Sequence, residues 1–123
     1  MYSAELLDHF ENPRNGGVVE NANVAVRLEN PACGDILELS ARVEAGQIVE
    51  IRFRVKGCVP AMACGSAITE LVKGKSVEAA KGISRKELLG AVGGVPEASS
   101  HASYLAIDAM RALLEKLGTD SIE

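Results

Sequence analysis

The stretch LELSARVEAGQIVEIRFRV, residues 37–55, decides the fold. Leu37, Leu39, Ala41 and Val43 alternate with polar or charged residues, and Val49, Ile51, Phe53 and Val55 repeat the pattern. Period-two alternation is the signature of a strand buried on one side. Between the two runs lies EAGQ, centred on Gly46, which reads as a hairpin turn. Upstream, Val24, Val26 and Leu28 make a third alternating run. It is joined to the second through NPACGD, residues 30–35, too rich in turn formers to be strand. Connections this short cannot make parallel crossovers, so the expectation is a three-stranded antiparallel sheet.

On either side of this core the apolar period changes to that of a helix. SAELLDHFENPRNGG opens on Ser3 as N-cap, places Leu6, Leu7 and Phe10 three and four apart, and ends at Pro13 and Gly16–Gly17. His9, near the end of that helix, reads as a solvated residue. After Cys58, Ala61, Ile68, Leu71 and Val72 form a helical stripe, with Pro60 in its first turn and Gly74 at its close. SVEAA and SRKELLGAV are short helices opened by serines. SSHASYLAIDAMRALLEKLG is the longest helix, with Leu105, Ala109, Leu113 and Leu117 along one side and Gly118 as its stop. The order predicts an α+β fold, a single domain over residues 1–123 with a three-stranded antiparallel sheet and helices packed on one face.

Composition narrows the function. With no Trp, two Tyr and two Phe, the core must be packed from Val, Leu, Ile and Ala. A net charge of -4 and scattered basic residues give no footprint for nucleic acid. No apolar run approaches the ~20 residues of a membrane span, and MYSAELLDHF has neither the basic nor the apolar region of a signal peptide. A cytoplasmic protein is the expectation. Its three cysteines, an odd number, argue for free thiols or metal ligands over a disulfide framework.

Two of those cysteines fall where the chain leaves regular structure. Cys33 lies in the NPACGD turn; Cys58 follows Gly57 at the end of the third strand, ahead of a helix whose first N–H groups favour a thiolate. Asp35 would oppose a bare thiolate nearby, but it suits a cation as an oxygen ligand; the alternative is that it serves only the Gly34 turn. His101, at the start of the last helix, is either a fourth ligand or a solvated helix-end residue. Cys64 falls in the second turn of its helix, about 7 Å along the axis at about 1.5 Å per residue. It lies on the buried stripe with Ile68 and Leu71, so packed filler is the expectation and a ligand role the alternative.

NPACGD, GCVPAMACGS and HASYLAIDAM, in that order and spacing, resemble the iron–sulfur cluster scaffold family of the IscU and NifU N-terminal type. The resemblance runs from YSAELLDHFENPRNGG through ELVKGKS to the last helix. It implies a scaffold without turnover chemistry of its own, taking sulfur from a cysteine desulfurase and passing a cluster to apo-proteins. It further implies that Cys33 and Cys58 are ligands of the cluster or of a metal, that Asp35 tunes cluster lability, and that His101 sits at the site. The family's third cysteine, its main sulfur acceptor, directly follows that histidine; here the residue is Ala102. Ser99 replaces a common lysine, Cys64 a usual serine, and VPEAS, residues 95–99, a chaperone-recognition stretch usually reading Leu-Pro-Pro-Val-Lys. Chaperone recognition in the family manner is therefore not expected.

Cys33, Asp35, Cys58 and His101 would suit tetrahedral zinc or a [2Fe–2S] cluster, since histidine can replace cysteine on one iron. Zinc-bound sulfur-transfer members carry about twenty extra residues between the middle cysteine and the histidine, for which this chain has no room. A third reading, a metal-binding paralogue that no longer assembles clusters, is opposed by the four residues retained.

Overall fold

The computed structural model describes residues 1–122, with side chains as far as Gly118. The hairpin forms as read. Strands β2 (Ile36–Glu44) and β3 (Gln47–Lys56) pair antiparallel, Leu37 opposite Val55 and Leu39 opposite Phe53. Ala45 and Gly46 join them with φ of 52° and 75°. Positive φ at both central residues marks the primed two-residue turn, whose twist matches that of the strands. On the other side of β2 lies β1 (Val24–Glu29), antiparallel, with Val26 opposite Leu39. The sheet order is β1-β2-β3.

At one point the alternation misleads. Val49 is 37% exposed, whereas Ile48 is fully buried. Arg42 pairs with Glu50 but Val43 pairs with Ile48, so Val49 is an extra residue on β3. This bulge reverses the facing of the strand towards the turn and turns Ile48 to the core.

Among the described residues there are five helices, two of which lie directly on one face of the sheet with the other three packed against them. Helix α1 (Ala4–Glu11) is capped by Ser3, whose Oγ accepts the Leu6 N–H at 2.9 Å. Helix α2 (Val59–Val72) starts directly after β3 and lies along it. Helices α3 (Val77–Lys81) and α4 (Arg85–Ala91) open on Ser76 and Ser84 as expected, and Ser84 and Glu87 close a capping box. After a 3-10 turn (Glu97–Ser99), α5 (His101–Ile122) packs on β1, β2 and α2. Gly118 does not end α5: an isolated glycine costs a helix only about 1 kcal/mol, and the helix continues to Ile122.

Small residues bring these layers together. Ala61, Ala63, Ala67, Ala102, Ala106 and Ala109 are all at most 3% exposed. Gly65 on α2 sits so close to β3 that a Cβ there would meet the Phe53 ring at 2.7 Å. The aromatic-poor composition thus becomes a thin core in which helix backbones approach the sheet.

Two features escape periodicity. The chain between α1 and β1 pairs with the free edge of β3, the Gly17 N–H donating to the Phe53 carbonyl at 2.9 Å. It then crosses the outer face of the sheet, where the Val19 N–H donates to Ser40 Oγ at 2.9 Å. The second concerns His9, which is not solvated as expected but 4% exposed, with Nδ1 2.8 Å from Ser66 Oγ on α2. That hydroxyl also accepts the Arg14 N–H at 2.8 Å. Burial, and then the Arg14 charge, hold the imidazole below its ordinary pKa.

Candidate metal centre

Cys33 and Asp35 come from the β1–β2 connection. The Asn30 N–H donates to the Asp35 carbonyl at 2.8 Å, and the Gly34 N–H to the Asn30 carbonyl at 2.7 Å. Asn30 Oδ1 accepts the Ala32 N–H at 2.9 Å. Gly34, at φ +77°, supplies the left-handed residue that lets so short a loop close. The turn is therefore stabilised by the Asn30 side chain and the backbone, leaving the Asp35 side chain free for another task.

That side chain points inward. Asp35 is 5% exposed, and its Oδ2 accepts the Cys58 thiol at 3.3 Å. His101 Nε2 lies 3.3 Å from the same oxygen and 3.8 Å from Cys58 Sγ. Cys33, Asp35 and His101 each offer a ligand atom within 4.8 Å of the others. Three elements converge here: the loop before β2, the start of α2 and the start of α5. Asp35 and His101 thus stand between the two cysteines: Cys33 groups with both, and Cys58 touches both but lies outside the group that Cys33 forms with them.

Donors of this kind fit a metal. Zinc–ligand bonds of about 2.0–2.3 Å at tetrahedral angles place neighbouring ligand atoms about 3.3–3.8 Å apart. The spacings among Cys58, Asp35 and His101, 3.3, 3.8 and 3.3 Å, lie close to that range. A cation entering there would replace the thiol proton that Cys58 now gives to Asp35.

The three thiols differ sharply in environment. Cys33 is exposed, Cys58 half-buried and Cys64 buried. Burial raises the Cys58 thiol above its ordinary pKa, a larger effect than the lowering by the Ala61 N–H at the start of α2; the Asp35 carboxylate raises it further. The expectation that the helix terminus would favour the thiolate is thus outweighed by desolvation. Cys64 has no exposed surface, packs in the core, and is pushed up to about 12 by burial. Unlike Cys58, it has no hydrogen-bond contact with Asp35 or His101 and is fully buried, in keeping with filler.

Ala102, next to His101, is 1% exposed and belongs to the core. A groove of about 310 Å³ runs beside His101, lined by Asn30, Pro31, Tyr104 and Asp108 among others. Sequence reasoning missed the close approach of Gly57, the residue before Cys58, to the Asp35 carboxylate.

Residues 1–119 match the family described as the NifU-like N terminal domain. The chain is 42% identical over 111 residues to iron–sulfur cluster assembly scaffold protein IscU 1 of Archaeoglobus fulgidus, covering 90% of this chain and 72% of that protein. With the Escherichia coli K12 scaffold protein IscU it shares 38% identity over 117 residues, covering 92% and 91%. Among solved structures, it is similar to a putative scaffold protein of the SUF system from Fervidobacterium islandicum. The TM-score is 0.78 at 18% identity, covering 92% of this chain and 96% of that one. The N-terminal part of a NifU-like protein from Brucella abortus gives 0.77 at 15% identity, covering 95% and 94%. At those identities the two structures speak for the fold alone.

Proposed function

The chain belongs to the NifU-like N-terminal domain family, and from that premise we propose how it works as a scaffold for iron–sulfur cluster assembly. Iron and persulfide sulfur are its substrates, an external two-electron donor reduces that sulfur to the sulfide level, and the assembled cluster is its cargo. The observation that carries the site assignment is the convergence of Cys58, Asp35 and His101 at 3.3–3.8 Å, with Cys33 beside Asp35 and His101. Cys33, Asp35, Cys58 and His101 are the ligands in this reading.

With two thiolates, one imidazole and one carboxylate, the site suits a [2Fe–2S] cluster in which nitrogen and oxygen replace part of the usual sulfur set. Zinc would take the same four ligands. Harder ligands hold a cluster less firmly than four thiolates, which suits a protein that gives its cargo away. Asp35 serves two purposes here: it holds the Cys58 proton before loading and offers an oxygen to the metal afterwards.

Sulfur arrives from a cysteine desulfurase as a persulfide on the donor's cysteine. Ala102 cannot accept it, Cys64 is buried and Cys58 is half-buried, which leaves Cys33 as the exposed acceptor. The Cys33 thiolate attacks the donor's outer sulfur, a new S–S bond forms, the donor's S–S bond breaks, and the donor cysteine leaves as its thiolate. Apo iron–sulfur proteins receive the finished cluster. The 3-10 turn and its VPEAS surroundings lack the basic residue of the family's usual chaperone-recognition stretch, so no chaperone is assigned.

Anaerobic reconstitution of single variants tests the assignment. Cys33→Ala, Cys58→Ala and His101→Ala should each lose the visible charge-transfer bands of the cluster, whereas Cys64→Ala should keep them. Retention of the bands in Cys58→Ala would remove the site from the reading.

A further inference from the structure

Gly57 links the end of β3 to Cys58, the cap of α2. A Cβ added at Gly57 would lie 2.5 Å from Asp35 Oδ1, 2.7 Å from its Cγ and 3.0 Å from its Cβ. Real Cβ atoms do not come so close to carbon or oxygen. Gly57 is not in the left-handed region, unlike Gly34 or Gly46, so its φ does not call for glycine. A side chain is excluded there by space alone, and the space belongs to Asp35.

The overlap includes Cγ and reaches Cβ, so turning the carboxylate about its own axis would not relieve it. Asp35 would have to change its χ1 rotamer, or the loop of residues 30–35 would have to shift. Either movement carries Oδ2 away from the Cys58 thiol and from His101 Nε2, each now at 3.3 Å. At 5% exposure, Asp35 has no open solvent to move into without that shift.

We propose that Gly57 is a positioning residue: the absence of a side chain at this position seats the Asp35 carboxylate against Cys58 and His101, and so sets the affinity of the site for metal. The inference rests on the assignment of Asp35 to the site made above. Groups that orient metal ligands typically account for about 10–100-fold in affinity, and a change of that size is expected.

Zinc titration against a chromophoric chelator, on the full chain, tests it with four proteins: wild type, Gly57→Ala, Asp35→Gly and the double variant. Asp35→Gly removes the three atoms that lie nearest to the new methyl group. Gly57→Ala and Asp35→Gly should each weaken zinc binding about 10–100-fold, and the double variant should bind as Asp35→Gly does. A purely structural role for Gly57 would make the two losses multiply. Wild-type affinity in Gly57→Ala, or a double variant weaker than Asp35→Gly, would overturn the inference. If Asp35→Gly binds zinc as wild type does, the assignment of Asp35 fails and the inference falls with it, a result distinct from the other two. Should Gly57→Ala not fold, the comparison of Asp35→Gly with the double variant still decides.

Discussion

Replacing Gly65 by alanine should destabilise this protein, although glycine-to-alanine changes inside helices usually do the opposite. The usual gain is about 0.8–1 kcal/mol of helix propensity. At Gly65 the new methyl group would lie 2.7 Å and 3.0 Å from Phe53 Cδ2 and Cε2, and 3.2 Å from Val55 Cγ2. Phe53 is 4% exposed in the middle of β3, so its ring cannot step aside, and overpacking of a closed core costs about 1–3 kcal/mol. The difference is a net loss of roughly 1 kcal/mol, which for a chain of this size lowers Tm by about 4 °C. Gly90, exposed on α4 with nothing within 4 Å of its added Cβ, is the control. There the same change meets no steric cost and should raise Tm. Because α2 carries Cys58 at its first end, lifting it from β3 should also weaken zinc binding in Gly65→Ala but not in Gly90→Ala. Calorimetric melting of the two variants decides the matter: a Gly65→Ala protein that melts at or above wild type would refute the packing argument.

The thiols should report their environments to a maleimide under native conditions: Cys33 reacts first, Cys58 slowly, and Cys64 only on unfolding, with peptide mapping as the readout. Rapid labelling of Cys64 would contradict its burial. Zinc affinity should rise with pH between about 6 and 8, because the Cys58 thiol is held above its ordinary value of 9.0 and must give up its proton to the metal. That proton contributes about one unit to the slope of log affinity against pH, and Cys58→Ala should remove it. For His9 the sign runs through the unfolded chain. Its folded pKa lies below the ordinary value of 6.5, so stability is fully present above that pH and falls as the pH drops through it towards the folded pKa. His9→Asn should flatten this dependence in urea melts; an unchanged pH profile would show that another group carries it.

How much of this was legible in the sequence follows from what each signal measures. Alternation at Leu37, Leu39 and Ala41, and again at Ile51 and Phe53, fixed the sheet because one face of a strand is buried at a time. It failed at Val49, because a bulge shifts the register by one residue without changing the composition of the run. Serine caps announced α1, α3 and α4 through local hydrogen bonds. Gly118 gave a false stop, since a glycine can be carried through a long packed helix. At the site, Cys33, Asp35, Cys58 and His101 were visible as residue types that bind metals, placed on loops and helix starts. Their convergence is a tertiary fact: Cys58 and Asp35 are 23 positions apart, and Cys58 and His101 are 43 apart. His9 was misread for the same reason, its partner Ser66 lying 57 positions away. Gly57 left no signal at all, because what matters there is an empty space beside Asp35.

The central claim is that a site with two accessible thiols, one carboxylate and one imidazole still builds a cluster and releases it. Iron and acid-labile sulfide per chain tests this most directly, measured with a visible spectrum after anaerobic reconstitution with a cysteine desulfurase, cysteine, a dithiol reductant and ferrous iron. The account predicts equal iron and sulfide, charge-transfer bands, and loss of both when an apo-ferredoxin is added. A protein that holds tightly bound zinc under those conditions and takes up neither iron nor sulfide would contradict it.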